Sequence, residues 1–222
     1  MGVSTLVLQL LDALAALLLL LAFALLAQRR IVNMVNLLAM QGAVLCAATL
    51  LLAARTHEGH LYVSAALTLA LKVIVLPQVL RALIRRLGVY WDSEPLLNIS
   101  GTMLVGVVVV VFAFGLAQPI TALASTATRS AIGIALAVVL LAFLTMITRR
   151  KAMSQVVGFL SMENGLFFGA MSASYGMPMI VELGVALDVL VAMLVLGVFF
   201  FQVREQFDSL DLHHFESLRE DR

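Results

Sequence analysis

Apolar residues come along this chain in runs of about twenty, cut by short charged or turn-forming stretches. A helix rising about 1.5 Å per residue needs about 20 such residues to cross the hydrocarbon core of a bilayer. The pattern predicts seven crossings, roughly 3–27, 31–54, 61–84, 96–118, 130–148, 152–174 and 178–203. "QRR" at 28–30 and "RRK" at 149–151 place charge at an interface. "WDSEP" at 91–95 offers Trp91 as an interfacial anchor, Asp92 or Ser93 as a cap, and Pro95 near a first turn. Pro119 closes the fourth crossing, and "SYGMP" at 174–178 is a tight turn.

Composition agrees with the pattern. Of 222 residues, 63% are apolar and 12% charged, and the mean hydropathy is +1.08. This is the profile of a polytopic membrane protein in a lipid bilayer. The net charge of +1 leaves no basic surface for nucleic acid. A single cysteine, Cys46, excludes an internal disulfide and a Cys-rich metal site. The start "MGVST" has no basic region, and the run behind it outlasts the core of a secretory signal, so it is expected to remain as a helix.

Basic residues give the expected orientation. Arg29, Arg30, Arg81, Arg85, Arg86, Arg149, Arg150, Lys151 and Arg204 fall on one side of the seven crossings, and Arg55 and Arg129 on the other. The positive-inside rule then places the N-terminus outside and the C-terminus in the cytoplasm.

The two halves resemble each other. "RRIVNMVNLLAMQGAVLCA" from Arg29 lies over "RRKAMSQVVGFLSMENGLFFGA" from Arg149, with Gln41 on Glu163 after a two-residue gap. "LALKVIVL" (69–76) lies over "VALDVLVA" (185–192), with Lys72 on Asp188. Crossings one to three and five to seven then form two units pointing the same way, joined by the fourth. Chance likeness between apolar helices is the competing explanation. Counted from the cytoplasmic ends, Gln41 lies about 15 Å deep, Glu163 and Lys72 about 18 Å, and Asp188 about 22 Å. These groups share a layer near the midplane. Asp12 lies nearer the outer face, and Glu182 at the outer interface.

A charge at that depth costs about 2.5–3.5 kcal/mol even on lenient insertion scales, so these side chains must face the bundle interior, a water cavity or a partner. Burial disfavours the charged form of an acid or a base, and an opposite charge nearby restores it. Making and breaking such pairs moves protons. The other reading is a static Lys72–Asp188 pair that only sets helix packing. Pro77 lacks an N–H, so the Val73 carbonyl loses its partner beside Lys72. Gly165 and Gly169 make a small-residue face next to Glu163. The histidines His57, His60, His213 and His214 lie outside the crossings, so an intramembrane haem or metal site is not expected. No phosphate-binding loop, dinucleotide fingerprint or catalytic triad is seen.

The stretch "MENGLFFGAMSASYGMPMIVELGVALDVLVAMLVLGVFFFQVREQFDSLDLHHFESL" resembles the C-terminal part of hydrogenase-4 component E. That family supplies a membrane subunit to complex I-like assemblies with group 4 nickel–iron hydrogenases, such as formate hydrogenlyase. More distantly, the stretch is similar to the three-helix K subunit of complex I and to the C subunit of multisubunit sodium/proton antiporters. Their order is an Arg-Arg turn, a mid-helix glutamate, a second acid and a "DS"-containing tail. Arg149–Arg150, Glu163, Asp188 and "FDSL" follow it, with Glu182 a rival for the second acid. The first unit departs from it, with Gln41 and Lys72 in place of the acids.

The resemblance implies an all-α membrane protein with a first three-helix unit over 1–86 and a linking helix over 96–118. A second unit over 130–204 carries Glu163 and Asp188, and a cytoplasmic tail covers 205–222. It implies a non-catalytic subunit without its own cofactor, metal or redox centre. Its partners would be antiporter-like membrane subunits and hydrophilic, hydrogenase-like iron–sulfur subunits. Glu163, Asp188, Lys72 and Gln41 would form a midplane proton (or sodium) relay, with Glu182 and Asp12 accessory. A structural spacer and a stand-alone secondary transporter are the alternatives.

Overall fold

The computed structural model describes residues 2–56, 59–88, 90, 98–121 and 126–174. They are all helical apart from short connections: α1 (Gly2–Ala27), α2 (Ile31–Thr56), α3 (Gly59–Thr68), a π-helical segment (Leu69–Val75), α4 (Leu76–Leu87), α5 (Ile99–Thr121), α6 (Thr126–Thr148) and α7 (Ala152–Ser174). α3, the π segment and α4 follow one another without a break and make one span. Among the described residues, six spans are long and apolar enough to cross a membrane. The protein is an all-α, multi-pass membrane protein. The expected seventh crossing (178–203) and the tail lie outside the described residues.

Boundaries differ from the sequence reading in two informative places. α4 continues through Arg85 and Arg86 to Leu87 and stops at Gly88, whose φ of 65° is left-handed. A glycine takes that conformation at no steric cost and closes the helix end. α5 runs two residues past Pro119. A proline in the last turn removes one hydrogen bond where few turns remain to be broken.

α6 packs on α7, α5 and α1, and α2 packs on α1, α7 and the third span. One apolar core joins α1, α2, α6 and α7 through Leu18, Leu45, Val138, Leu141 and Phe168. A second joins α2, α4 and α7 through Met34, Leu80, Ile84 and Leu160. The α6–α7 seam depends on missing side chains. A Cβ on Gly165 would sit 3.0 Å from Val138 and Val139 methyl carbons, and one on Gly169 3.0 Å from the Ala135 Cβ. The small-residue face read from the sequence is therefore turned to α6. α5 keeps most of its face outward, with Leu104, Val108 and Val111 exposed.

Neighbouring spans have readable directions. Gln41 meets Asn164, and Thr49, eight residues on, meets Met171, seven residues on. α2 and α7 therefore run the same way. α1 and α6 also run together, because Arg149 behind α6 reaches the end of α1. Its Nη2 donates to the Leu26 carbonyl at 2.7 Å and the Gln28 carbonyl at 2.5 Å. The last carbonyls of a helix have no partner within it, and a cation there also answers the negative end of the helix dipole. Arg81 donates to Asn36 at 2.8 Å, and the Ile31 amide to the Tyr90 carbonyl at 3.2 Å. The basic turns before α2, in α4 and before α7 thus gather at one end of the bundle. Arg55 lies at the other.

Candidate functional site

Lys72 sits in the π segment. Five-back hydrogen bonding is visible at its end, where the Leu76 amide donates to the Leu71 carbonyl. Pro77 follows and has no N–H, so neither a four-back nor a five-back bond can continue from it. Widening the turn in front of a proline is a common response to that loss, and such segments recur at functional sites. The weakened turn expected from Pro77 is realised as seven residues of π-helix around the lysine.

The lysine is pressed from the other side by α2. A Cβ on Gly42 would fall 2.8 Å from the Lys72 Cβ and 3.3 Å from its carbonyl carbon and oxygen. Only a glycine lets the two backbones come so close. Held there, Lys72 points at α7. Its Nζ lies 2.7 Å from Glu163 Oε1 and 2.9 Å from Asn164 Oδ1, and 5.2 Å from the centre of the Phe167 ring. The side chains of the ion pair are each 3% exposed. Asn164 continues the network, its amide nitrogen donating to Gln41 Oε1 at 3.2 Å.

Each contact has a physical purpose. An ammonium in a dry interior needs acceptors on its N–H groups, and a carboxylate and an amide oxygen supply them. The face of an aromatic ring adds attraction for a cation. A cavity of about 10 Å³ lined by Leu38, Leu76 and Leu160 adjoins Lys72, Glu163 and Asn164. That is about the volume needed for one water.

Of the expected site residues, Lys72, Glu163 and Gln41 are brought into one network. Asp12 stands apart, lining a cleft of about 70 Å³ with Arg55, Phe168 and Met171 at the far end of α7. Asp188 and Glu182 lie outside the described residues, and so does the Lys72–Asp188 pairing weighed above. Asn164 and Gly42 were missed. Each is adjacent to an expected site residue, and neither an asparagine nor a glycine in an apolar run stands out by charge. Among the described residues, no cluster of three or more His, Cys, Asp or Glu could hold a metal.

Fold and site together define a multi-pass helical membrane protein with an amine–carboxylate pair buried in its bundle. The chain is 38% identical over 187 residues, 84% of its length and 85% of the other's, to the Uncharacterized protein Rv0085 of Mycobacterium tuberculosis, and it belongs to that protein's family. It is 23% identical over 148 residues to Hydrogenase-4 component E of Escherichia coli, covering 67% of this chain and 68% of that one. Hydrogenase-4 component E of Shigella flexneri matches to the same extent. No family model matches the chain, and no solved structure matches it.

Proposed function

We propose that this chain is a non-catalytic membrane subunit of a hydrogenase-like, complex I-like assembly, and that Lys72 and Glu163 pass protons between its spans. The observation that carries the reading is the 2.7 Å contact between two buried, oppositely charged groups on different spans. Keeping them buried costs several kcal/mol per ion before their attraction is counted, and charges inside membrane spans are characteristic of ion pathways. The similarity to Hydrogenase-4 component E supports a place beside redox subunits, which would hold the metals and cofactors.

In this reading a proton reaching Glu163 neutralises it and weakens its hold on Lys72. Lys72 then yields a proton to the next acceptor, and the pair re-forms when Glu163 passes its proton to the neutral Lys72 amine. Asp188 is proposed as that acceptor, with Gln41 and Asn164 holding the geometry and Asp12 and Glu182 accessory. Crossings one to three and five to seven are proposed as duplicated units, with the N-terminus outside and the C-terminus in the cytoplasm. The common direction of α2 and α7, and of α1 and α6, supports that arrangement.

A static pair is the second reading, favoured by how well Glu163 and Asn164 together satisfy the ammonium. Glu163→Gln separates the two, since glutamine keeps the shape and the hydrogen bonds but carries no dissociable proton. In native membrane vesicles this variant should assemble, sustain redox turnover and lose gradient formation. A wild-type gradient would leave only the static pair. Purification should bring down iron–sulfur and antiporter-like subunits with the chain; a protein stable and active alone would instead be a transporter.

A further inference from the structure

Several threonines among the described residues satisfy their hydroxyls in the same way. Thr49, Thr102, Thr145 and Thr148 each donate to the carbonyl four residues back, at 2.7–3.1 Å. This is the ordinary resource of a threonine in an apolar helix. Thr68 does not use it. Its hydroxyl is fully buried and meets no hydrogen-bond partner, and Ser64, one turn earlier and 5% exposed, is in the same condition. Across the seam on α2, the buried Gln41 Nε2 is also without a partner.

Ser64, Thr68 and Lys72 stand four residues apart, which places them on one face of the third span. Successive positions are about 6 Å apart along the axis. One water with a hydrogen bond of about 2.8 Å on each side spans that gap. Buried hydroxyls left without protein partners are the groups that ordered water serves. Ser64 stands about 7.5 Å from Gly59, where α3 begins.

We propose that Ser64 and Thr68 hold a file of water that connects the Lys72–Glu163 pair to the end of the third span at Gly59. The ligand is water, and the cargo is a proton; this use of the file rests on the relay reading above. Each hydroxyl and each water takes a proton on a lone pair and gives its own to the next, so none is chemically changed by a passage. The file makes the Gly59 end the side from which the pair exchanges protons.

Labelling in membrane vesicles holding the full chain tests it, in a Cys46→Ala background and with a small water-soluble cationic thiol reagent. Only a hydrated thiol ionises and reacts, so Ser64→Cys and Thr68→Cys should label about tenfold faster than Ala66→Cys on the outward face. In gradient formation, Thr68→Val keeps the shape without the hydroxyl and should lose most of the activity, while Thr68→Ser should keep it. Labelling no faster than at Ala66→Cys, or a wild-type gradient from Thr68→Val, overturns the file. A wild-type gradient from Glu163→Gln would remove the relay and leave the labelling result standing, so the two ideas fail separately.

Discussion

α7 and the third span give the two halves of one ion pair, and they are built in opposite ways. α7 is an unbroken helix of 23 residues. Gly165 and Gly169 seat it tightly against α6, and Glu163 and Asn164 project from its other side. The third span is interrupted at Lys72 by a π segment, ends that segment at a proline, and bears on α2 through a glycine. The carboxylate is therefore fixed by a rigid neighbour. The ammonium hangs on a flexible four-carbon stem from a deformable stretch of backbone. The proposed relay needs one partner that holds position and one that moves, and this asymmetry gives the moving part to Lys72.

The largest expected effect comes from breaking the pair from each side in turn. Lys72→Met leaves Glu163 buried on a helix that cannot shift, and should cost about 3–5 kcal/mol. Glu163→Gln leaves an ammonium that still has the Asn164 oxygen and a mobile stem. Its cost should be nearer 1–3 kcal/mol, the range for one unsatisfied buried group. Thermal unfolding in detergent reads both. Equal losses would remove the asymmetry. The double variant should recover much of the loss, because two neutral side chains leave no buried charge.

The same contrast can be sharpened at the glycines. Gly42→Ala meets atoms that cannot turn away, the Lys72 Cβ and its carbonyl, and should cost about 1–3 kcal/mol as an overpacked contact. It should also weaken the Lys72–Glu163 coupling measured in a double-mutant cycle. Gly158→Ala makes an even shorter contact, 2.7 Å, but to the Met146 Cγ. Methionine repacks readily, so the cost there should stay below about 1 kcal/mol and the coupling should not change. If Gly158→Ala disturbs the coupling as much as Gly42→Ala, α7 is not the rigid side.

The difference between these regions also explains what could be read in the sequence. The spans were legible because length and apolarity alone decide them, and the six described ones fall close to the expected limits. Depth was legible too. Counting residues put Lys72 and Glu163 in the same layer, and the structure joins them. The choice of partner was not legible. It depends on the direction in which Lys72 leaves the helix, and a π segment changes that direction by adding a residue to the turn. The proline was visible, but not whether the turn before it would widen or kink. Asn164 and Gly42 escaped because a search for charge ignores the amide that shares a cation and the missing side chain that lets it approach. Nor does apolar patterning show that Thr68 would forgo the back-bond taken by Thr49, Thr102, Thr145 and Thr148.

The smallest change in stability, and the most direct test of the comparison, is expected from Pro77→Ala. Restoring an N–H at this position allows ordinary four-back bonding, and alanine is favoured over proline by about 3 kcal/mol in a helix interior. Against that gain stands the fit of Lys72 to Glu163 and Asn164, which a regular helix would lose. Removing the extra residue from the turn rotates one side of the helix against the other by about 100°, one residue's share of a 3.6-residue turn. The two effects oppose each other, so net stability should change by less than about 1 kcal/mol, within the range of an ordinary substitution. The coupling between Lys72 and Glu163 should fall by half or more in the Pro77→Ala background. A coupling that stays at its original value would show that the close approach of α2 at Gly42, and not the proline, holds the π segment in place. The movable side of the pair would then be the α2 seam, and Gly42→Ala in the Pro77→Ala background should be what finally releases it.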